Sequence, residues 1–361
     1  MKKTIAVLAL LFLSLCLWAQ RGPADTRPPL ILANDKLEFT VSPTGSRFNK
    51  MMLKDGDPIS PIAALGHFLA LDGFGNPSDQ EKAPGWPGHG EAKGVPFEIV
   101  STSQGTPTHV VTLRGNLPLA QETVTRTIEM VDGENVAYVT TQLESNLTVD
   151  RPFSWAEHAT IGPPYLAPGK VVVDMPATNC RVRPYKPGAI PGHLVYDKDF
   201  KWPMAPTVDG GQADIRVYPT DHAWLDLASC QIDVSRRLGF VTALHLEKHL
   251  VYGYVFRRAD YPWLMSWMNF TGDDKADRGM EFSSQPFDIS HAETVAMSPL
   301  FGQPTFRWLP AKSKIENKFL IFYTKVPDDF TKIDDVTLGA GKLTIVDHSG
   351  KRIVLPASKE F

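Results

Sequence analysis

The sequence has few cysteines, no excess of basic residues and no long amphipathic helical pattern. Its 361 residues include 3 Cys, and 37 Lys and Arg stand against 40 Asp and Glu. A nucleic-acid-binding protein normally needs a basic surface to neutralise phosphates, so the charge balance argues against that class. The 30 Pro and 27 Gly are spread along the chain and leave little room for long helices. Hydrophobic residues make up 43%, which is enough for a large core and excludes a disordered or fibrous chain.

The only long apolar run lies at the N-terminus. Lys2 and Lys3 precede an apolar segment from Ile5 to Trp18, and polar residues follow shortly after it. This arrangement is typical of a secretory signal peptide, which we predict over residues 1–20. The run is too short to span a bilayer comfortably. We therefore expect a periplasmic or secreted protein with no stable membrane insertion after the signal is cleaved.

Two cysteines, Cys180 and Cys230, are left once the predicted signal is removed. In an oxidising compartment they can form a disulfide, and the alternative is two separate buried thiols. Neither has the CxxC spacing of a redox or zinc site. The sequence alone leaves both alternatives open.

One histidine cluster has the residue types of a metal site. His245, Glu247 and His249 would point to one face of a continuous strand. Side chains two residues apart on a strand lie about 6–7 Å from each other, too far for three ligands of one ion. A turn near Glu247 is also expected between two flanking strands. We therefore predict a solvated hairpin here, with no metal site and no cofactor.

Alternation of polar and apolar residues dominates the rest of the chain. Alternating or β-branched runs occur at 36–41, 108–114, 122–130, 135–143, 239–246, 250–256, 318–324 and 342–346. Their ends carry Gly, Pro, Asn or Asp, as strand ends do, and Asp132-Gly133 predicts a hairpin. No linker, repeat or composition shift divides residues 21–361. The sequence therefore predicts a single all-β domain, a large antiparallel sandwich of more than fifteen strands with helices only as short turns. The Pro-rich stretch 184–206 is predicted to be a long surface loop.

Four clusters place polar residues among Gly, Pro and Trp, at 85–92, 155–165, 260–269 and 279–287. Histidine and glutamate are the usual pair for general acid–base chemistry near neutral pH. Tryptophans provide flat apolar faces of the kind that stack on sugar rings. Each histidine alone is more often structural, but the four clusters together favour a site.

The order of these motifs resembles the galactose mutarotase-like (aldose 1-epimerase) superfamily, especially its poorly characterised aldose-epimerase-like members. The motifs that carry the resemblance are Gly66-His-Phe-Leu-Ala-Leu-Asp, His89-Gly-Glu-Ala, Trp155-x-Glu-His158 and Gly279-Met-Glu-Phe. The resemblance spans about residues 36–326. It implies a β-supersandwich whose site lies on a concave sheet face. It also implies reversible ring opening of an aldose at the anomeric carbon without a cofactor.

The resemblance also implies roles for individual residues. His158 would be the general acid at the ring oxygen, Glu281 the general base at the anomeric hydroxyl, and His89 a hydrogen-bonding partner of the sugar. In well-studied mutarotases the base lies two residues before a Gln, where this chain has a serine, and Glu281 lies two residues earlier on the same strand face. Further predicted substrate contacts are Trp155, Glu157, Trp263, Trp267 and Gln285.

Three functions remain open from the sequence. The first is an exported aldose 1-epimerase acting on a free sugar or on the reducing end of an oligosaccharide. The second is a non-catalytic carbohydrate-binding protein on the same scaffold. The third, a lyase- or hydrolase-associated domain, would need two facing carboxylates, for which only Glu157 and Glu281 are candidates. The distances between these side chains in the folded chain distinguish the three.

Overall fold

A computed structural model describes residues 27–185, 192–220, 224–272 and 275–361. The predicted signal peptide lies outside these residues. Antiparallel strands form almost all of the described regular structure, which confirms the all-β prediction and the expectation of more than fifteen strands. The two helices of the described residues are short, α1 (Asp79–Lys82) and α2 (His291–Ala296). Within the described ranges, no helix is long and apolar enough to cross a membrane.

The described strands of the first half of the chain include the four predicted alternating runs and others that were not predicted. They are β1 Leu30–Ala33, β2 Leu37–Ser42, β3 Arg47–Leu53, β4 Phe68–Leu71, β5 Phe97–Gly105, β6 Thr108–Leu117, β7 Glu122–Val131, β8 Val136–Ser145, β9 Arg151–Phe153, β10 Trp155–His158, β11 Thr160–Ile161, β12 Val171–Asp174 and β13 Ala177–Val182.

The second half adds short connecting strands between the long ones. They are β14 Asp199–Lys201, β15 Met204–Pro206, β16 Gln212–Asp214, β17 Trp224–Ile232, β18 Leu238–His245, β19 Leu250–Arg257, β20 Trp263–Phe270, β21 Asp277–Gly279, β22 Glu281–Ser283, β23 Arg307–Leu309, β24 Lys314–Lys325, β25 Ile333–Gly339, β26 Lys342–Asp347 and β27 Arg352–Pro356.

Two large sheets face each other and enclose the main core. One has eight strands in the order β12-β18-β19-β24-β8-β7-β6-β5. The other has eleven and runs β16-β15-β14-β13-β17-β20-β22-β10-β4, with β11 and β21 paired beside β20. Val139 of the first sheet and Leu264 and Phe282 of the second belong to the same buried cluster. Apolar residues on the facing sides of both sheets therefore hold the sandwich together.

A smaller three-stranded sheet, β25-β26-β27, covers the outer face of the eight-stranded sheet. Leu343 and Ile345 of this small sheet pack in a second buried cluster with Val251, Val255 and Leu320. Strands β19 and β24 are consequently buried on both faces, which explains their near-continuous apolar sequences. The assignment of residues 21–361 to a single domain stays a prediction.

Local turn chemistry agrees with the sequence in two hairpins and differs in one loop. Gly133 has φ +85° in the turn between β7 and β8, as the Asp-Gly signal predicts. β18 ends at His245 and β19 begins at Leu250, which confirms the predicted hairpin between them. The prediction of one long loop over 184–206 was wrong in part. Strands β14 and β15 lie there and extend the edge of the larger sheet, because their backbone groups pair with β13 and β16.

Cys180 and Cys230 form a disulfide between neighbouring strands. They are directly opposite each other in the register of β13 and β17. The pairing decides between the two alternatives that the sequence left open. The bond links β17 covalently to β13.

Candidate functional site

A cleft of about 170 Å³ opens on the face of the eleven-stranded sheet that points away from the eight-stranded sheet. A single bound water needs about 10–15 Å³ of cavity volume, so this cleft has room for a small ligand. Strands β17, β20, β22 and β10 lie side by side beneath it and bring together residues that are far apart in sequence. The cleft is lined by Leu65, Phe74, Gly75, Asn76, His89, His158, Leu227, Trp267, Glu281 and Asp288.

Strand alternation on β10 decides which residues reach this cleft. His158 points outward into it, whereas Glu157 points inward between the two sheets. There both oxygens of the Glu157 carboxylate accept hydrogen bonds from Arg126 of β7, at 2.6 and 2.7 Å, and His67 Nε2 lies 2.9 Å away. All three side chains are completely buried. Burial raises the pKa of Glu157, but Arg126 and His67 more than offset this effect and hold it below its usual value.

His158 and Glu281 meet at the cleft on strands that are hydrogen-bonded neighbours. His158 Nε2 lies 3.4 Å from Glu281 Oε1, and both side chains are almost fully buried from bulk solvent. No hydrogen bond of the described chain reaches either Glu281 oxygen. Phe68, the residue opposite His158 in the register of β4 and β10, stacks on the imidazole with ring centroids 4.2 Å apart. The imidazole is therefore fixed by its cross-strand neighbour while its polar edge faces Glu281.

Burial controls the protonation of this pair. Burial and the neighbouring His89 lower the pKa of His158 well below its usual value. Burial and the charge of Asp288 raise the pKa of Glu281 well above the ordinary range for a glutamate, against a smaller opposing effect of Arg183. Burial therefore favours the uncharged forms of both groups over an ion pair.

His89 is held in a defined tautomer beside this pair. Its ring lies perpendicular to that of His158, with centroids 5.0 Å apart. Its Nδ1 accepts a hydrogen bond from the backbone N–H of Gly75 at 3.1 Å, so the neutral ring carries its proton on Nε2. Burial, together with the charge of Lys93, lowers the pKa of His89 to about 4. His89 is consequently a neutral hydrogen-bond donor at neutral pH.

Aromatic side chains border the His158–Glu281 pair. The half-buried Trp267 on β20 lines the cleft, and its ring centroid lies 6.2 Å from that of His158. Phe74 lies 5.4 Å from the same imidazole. The indole provides the flat apolar surface on which the carbon–hydrogen face of a sugar ring can pack.

Four residues that were predicted to contact the substrate lie outside this cleft. Trp155 and Glu157 have the opposite strand parity to His158 and are buried between the sheets. Trp263 is buried against Phe287, Ile289 and Leu300, and its Nε1 donates to the carbonyl of Pro304. The side-chain amide of Gln285 donates a hydrogen bond within a turn, to the carbonyl of Phe287 at 2.6 Å. Since Glu157 and Glu281 face opposite sides of the sheet, they cannot act as two facing carboxylates.

The predicted site residues did not include Asn76 and Asp288, two polar residues that line the cleft, or Arg183, which contacts Asp288. Asp288 directly follows the Gln-Pro-Phe segment and lines the cleft, and its Oδ2 accepts a hydrogen bond from Arg183 Nη1 at 3.2 Å. Its position as the first polar residue after that segment is the sequence feature that could have indicated Asp288. Arg183 lies just after β13, and no local motif marks it. Among the described residues, no group of three or more His, Cys, Asp or Glu is arranged to hold a metal ion.

Comparison with known proteins places the fold among the galactose mutarotase-like proteins. No family profile and no curated protein sequence matches the chain. The Slr1438 protein from Synechocystis is similar in structure, with a TM-score of 0.59 and 14% identity over 83% of this chain and 96% of that one. A candidate aldose 1-epimerase from Klebsiella pneumoniae has a TM-score of 0.58 and 12% identity, covering 81% of this chain and 77% of that one. A galactose mutarotase-like protein from Lactobacillus casei has a TM-score of 0.55 and 12% identity, covering 82% and 100% respectively. These likenesses confirm the predicted resemblance at the level of the fold.

Proposed function

We propose that this protein is an exported enzyme of the aldose 1-epimerase type that binds a free aldose, or the reducing end of an oligosaccharide, and interconverts its anomers. The observation that carries the proposal is the contact of His158 Nε2 with Glu281 Oε1, 3.4 Å apart in a small cleft beside an aromatic wall. The shared fold with galactose mutarotase-like proteins supports it.

Anomer exchange needs one proton donor and one proton acceptor at the hemiacetal carbon. The proton of the anomeric hydroxyl leaves, the bond between the anomeric carbon and the ring oxygen breaks, and the ring oxygen takes up a proton. Rotation of the open-chain aldehyde and closure on its other face give the second anomer. The His158–Glu281 pair, in which one group can give up a proton and the other can take one, supplies both partners.

The assignment of the two roles follows the resemblance, with His158 as the acid at the ring oxygen and Glu281 as the base at the anomeric hydroxyl. The form with both groups neutral and the form with both charged contain the same number of protons. Burial favours the neutral form. Sugar hydroxyls that donate hydrogen bonds to Glu281 would favour its ionised form.

His89 and Trp267 hold the sugar in this scheme. The Nε2–H of His89 donates to a sugar oxygen, and the indole of Trp267 packs against the apolar face of the ring. Together they would orient the anomeric carbon towards the acid–base pair, which lowers the entropic part of the barrier.

The decisive experiment is exchange spectroscopy by NMR, or polarimetry, on a panel of pure sugar anomers. The wild type should accelerate exchange of at least one sugar. Glu281→Gln keeps the shape of the side chain and removes the basic oxygen, so it should slow exchange by about 10²-fold or more with binding largely intact. Glu144→Gln on the distant strand β8 is the matched control and should behave as the wild type does. Binding without exchange in the wild type would identify a carbohydrate-binding protein instead.

Export is tested separately by sequencing the N-terminus of the protein from fractionated cells. Cleavage of the predicted signal should leave a mature chain that begins near Gln20 or Arg21, in the periplasm or the medium. Full-length protein with Met1 intact in the cytosolic fraction would contradict this proposal.

A further inference from the structure

The carboxylate of Asp288 has one oxygen that is hydrogen-bonded and one that is buried without a partner in the described chain. Its Oδ2 accepts a hydrogen bond from Arg183 Nη1 at 3.2 Å, whereas its Oδ1 has no hydrogen-bond partner in the described chain. An arginine and a carboxylate that served only as a structural pair would usually share two parallel hydrogen bonds. Here a single bond orients the carboxylate of a residue that lines the cleft, and its second oxygen is buried without a partner in the described chain.

Arg183 is well placed to fix this carboxylate. Its side chain is only 4% exposed, and its backbone N–H donates to the carbonyl of Leu227, a residue that lines the cleft. Tyr185 donates through its hydroxyl to the backbone carbonyl of Asp288 at 2.9 Å. Both the backbone and the side chain of Asp288 are therefore held from the same segment after β13.

Asp288 and His89 are also joined through a common neighbour. The backbone N–H of Gly75 donates to His89 Nδ1, and its carbonyl accepts from the His89 backbone N–H at 2.8 Å. Gly75 has φ +87°, and a Cβ at this position would lie 2.5 Å from the backbone carbonyl oxygen of Asp288. Only glycine permits this approach of the two segments. The donor on His89 and the acceptor on Asp288 are thus parts of one rigid frame.

We propose that Asp288, oriented by Arg183, is a further substrate-binding residue whose Oδ1 accepts a hydrogen bond from a sugar hydroxyl in the cleft. A hydroxyl group both donates and accepts, so a donor on His89 and an acceptor on Asp288 suit a ligand with several hydroxyls. This inference rests on the proposed function, because it assigns the ligand of the same cleft. Asp288 binds and orients the sugar, and the proton transfer remains with His158 and Glu281.

The test combines a conservative variant with deoxy-sugars. Asp288→Asn should raise the Kd of the preferred sugar, measured by calorimetry, about tenfold. The readout is Kd and not kcat, because the charge of Asp288 also raises the pKa of Glu281. Asp199→Asn is the matched control, since it breaks an exposed pair with Arg181 outside the cleft and should leave Kd unchanged.

The deoxy-sugar series identifies the contact itself. A set of monodeoxy analogues is titrated against the wild type and Asp288→Asn, and the two losses are compared as a double-mutant cycle. For the analogue that lacks the contacted hydroxyl, the tenfold loss on substitution should disappear, while it should persist for the others. Arg183→Lys should weaken the same contact, and it provides a second variant if Asp288→Asn folds poorly.

The possible failures are distinguishable. A wild type that exchanges and binds sugar, with an Asp288→Asn variant that loses nothing or loses equally with every analogue, would overturn this inference alone. A wild type that neither binds nor exchanges any sugar would overturn the proposed function and this inference together.

Discussion

Replacing Glu281 by Gln should stabilise the fold increasingly as the pH rises. The Glu281 side chain is 1% exposed and makes no hydrogen bond in the described chain, and burial raises its pKa well above the usual value. A glutamate in the unfolded chain has a pKa of about 4.3. Between that pH and the folded-state pKa, the folded wild type binds more protons than the unfolded chain, so its stability falls as the pH rises. One such group changes the free energy of unfolding by up to about 1.4 kcal/mol per pH unit.

The assay is urea unfolding of the wild type and the Glu281→Gln variant at pH 5, 6 and 7. The difference in unfolding free energy should grow in favour of the variant by up to about 1.4 kcal/mol per pH unit, until the pH reaches the folded-state pKa. Glu144→Gln, which alters a partly exposed pair with Lys314, should give a difference within about 1 kcal/mol throughout. A Glu281→Gln variant that is less stable than the wild type, with a deficit that persists at neutral pH, would refute the reasoning. It would show that Glu281 is ionised and paired with a protonated His158.

Three further perturbations test other parts of the structure. Glu157→Gln should lower the free energy of unfolding by about 3–5 kcal/mol in urea, because it leaves a buried arginine without its counter-charge; a loss under 1 kcal/mol would contradict this. Replacing Cys180 and Cys230 together by Ser should cost up to about 4 kcal/mol for a crosslink that spans 50 residues, and an unchanged unfolding midpoint would count against it. The pKa of His89 is lowered to about 4, so sugar affinity measured by calorimetry should not change with pH near the ordinary histidine pKa of 6.5. The affinity should fall below about pH 4, because a protonated Nδ1 can no longer accept its backbone hydrogen bond.

Strand positions could be predicted from the sequence because alternation is a local property. The run at 122–130 became β7 and the run at 135–143 became β8, and the Asp132-Gly133 signal set the turn between them. The period-2 pattern is visible wherever one face of a strand differs in polarity from the other. The all-β class, and the resemblance in fold that depends on it, followed from many such runs.

The membership of the cleft could be predicted only in part, because β10 is buried on both faces. All four residues of Trp155–His158 are buried, so polarity did not reveal which parity faces the ligand. The resemblance identified His158, but it did not exclude its neighbour Glu157. Asp288 was missed for a different reason: a residue after a strand is placed by the tertiary contacts of its segment, here with Arg183, and no local pattern records them.

Glu157 and Glu281 are the same residue type in opposite environments, and we propose a structural role for the first and a chemical role for the second. Glu157 lies on β10 and faces inward, where an arginine and a histidine satisfy its charge. Glu281 lies on the adjacent strand β22 and faces outward, where no group of the described chain satisfies its oxygens. A buried carboxyl group without hydrogen bonds lowers stability, and such a group is expected where it is needed for binding or catalysis. The two Gln variants should therefore have opposite effects. Glu157→Gln should lower the free energy of unfolding and preserve the anomer exchange rate of the folded fraction. Glu281→Gln should slow anomer exchange and raise the free energy of unfolding. Loss of both properties in either variant would mean that the two faces of the sheet are not independent.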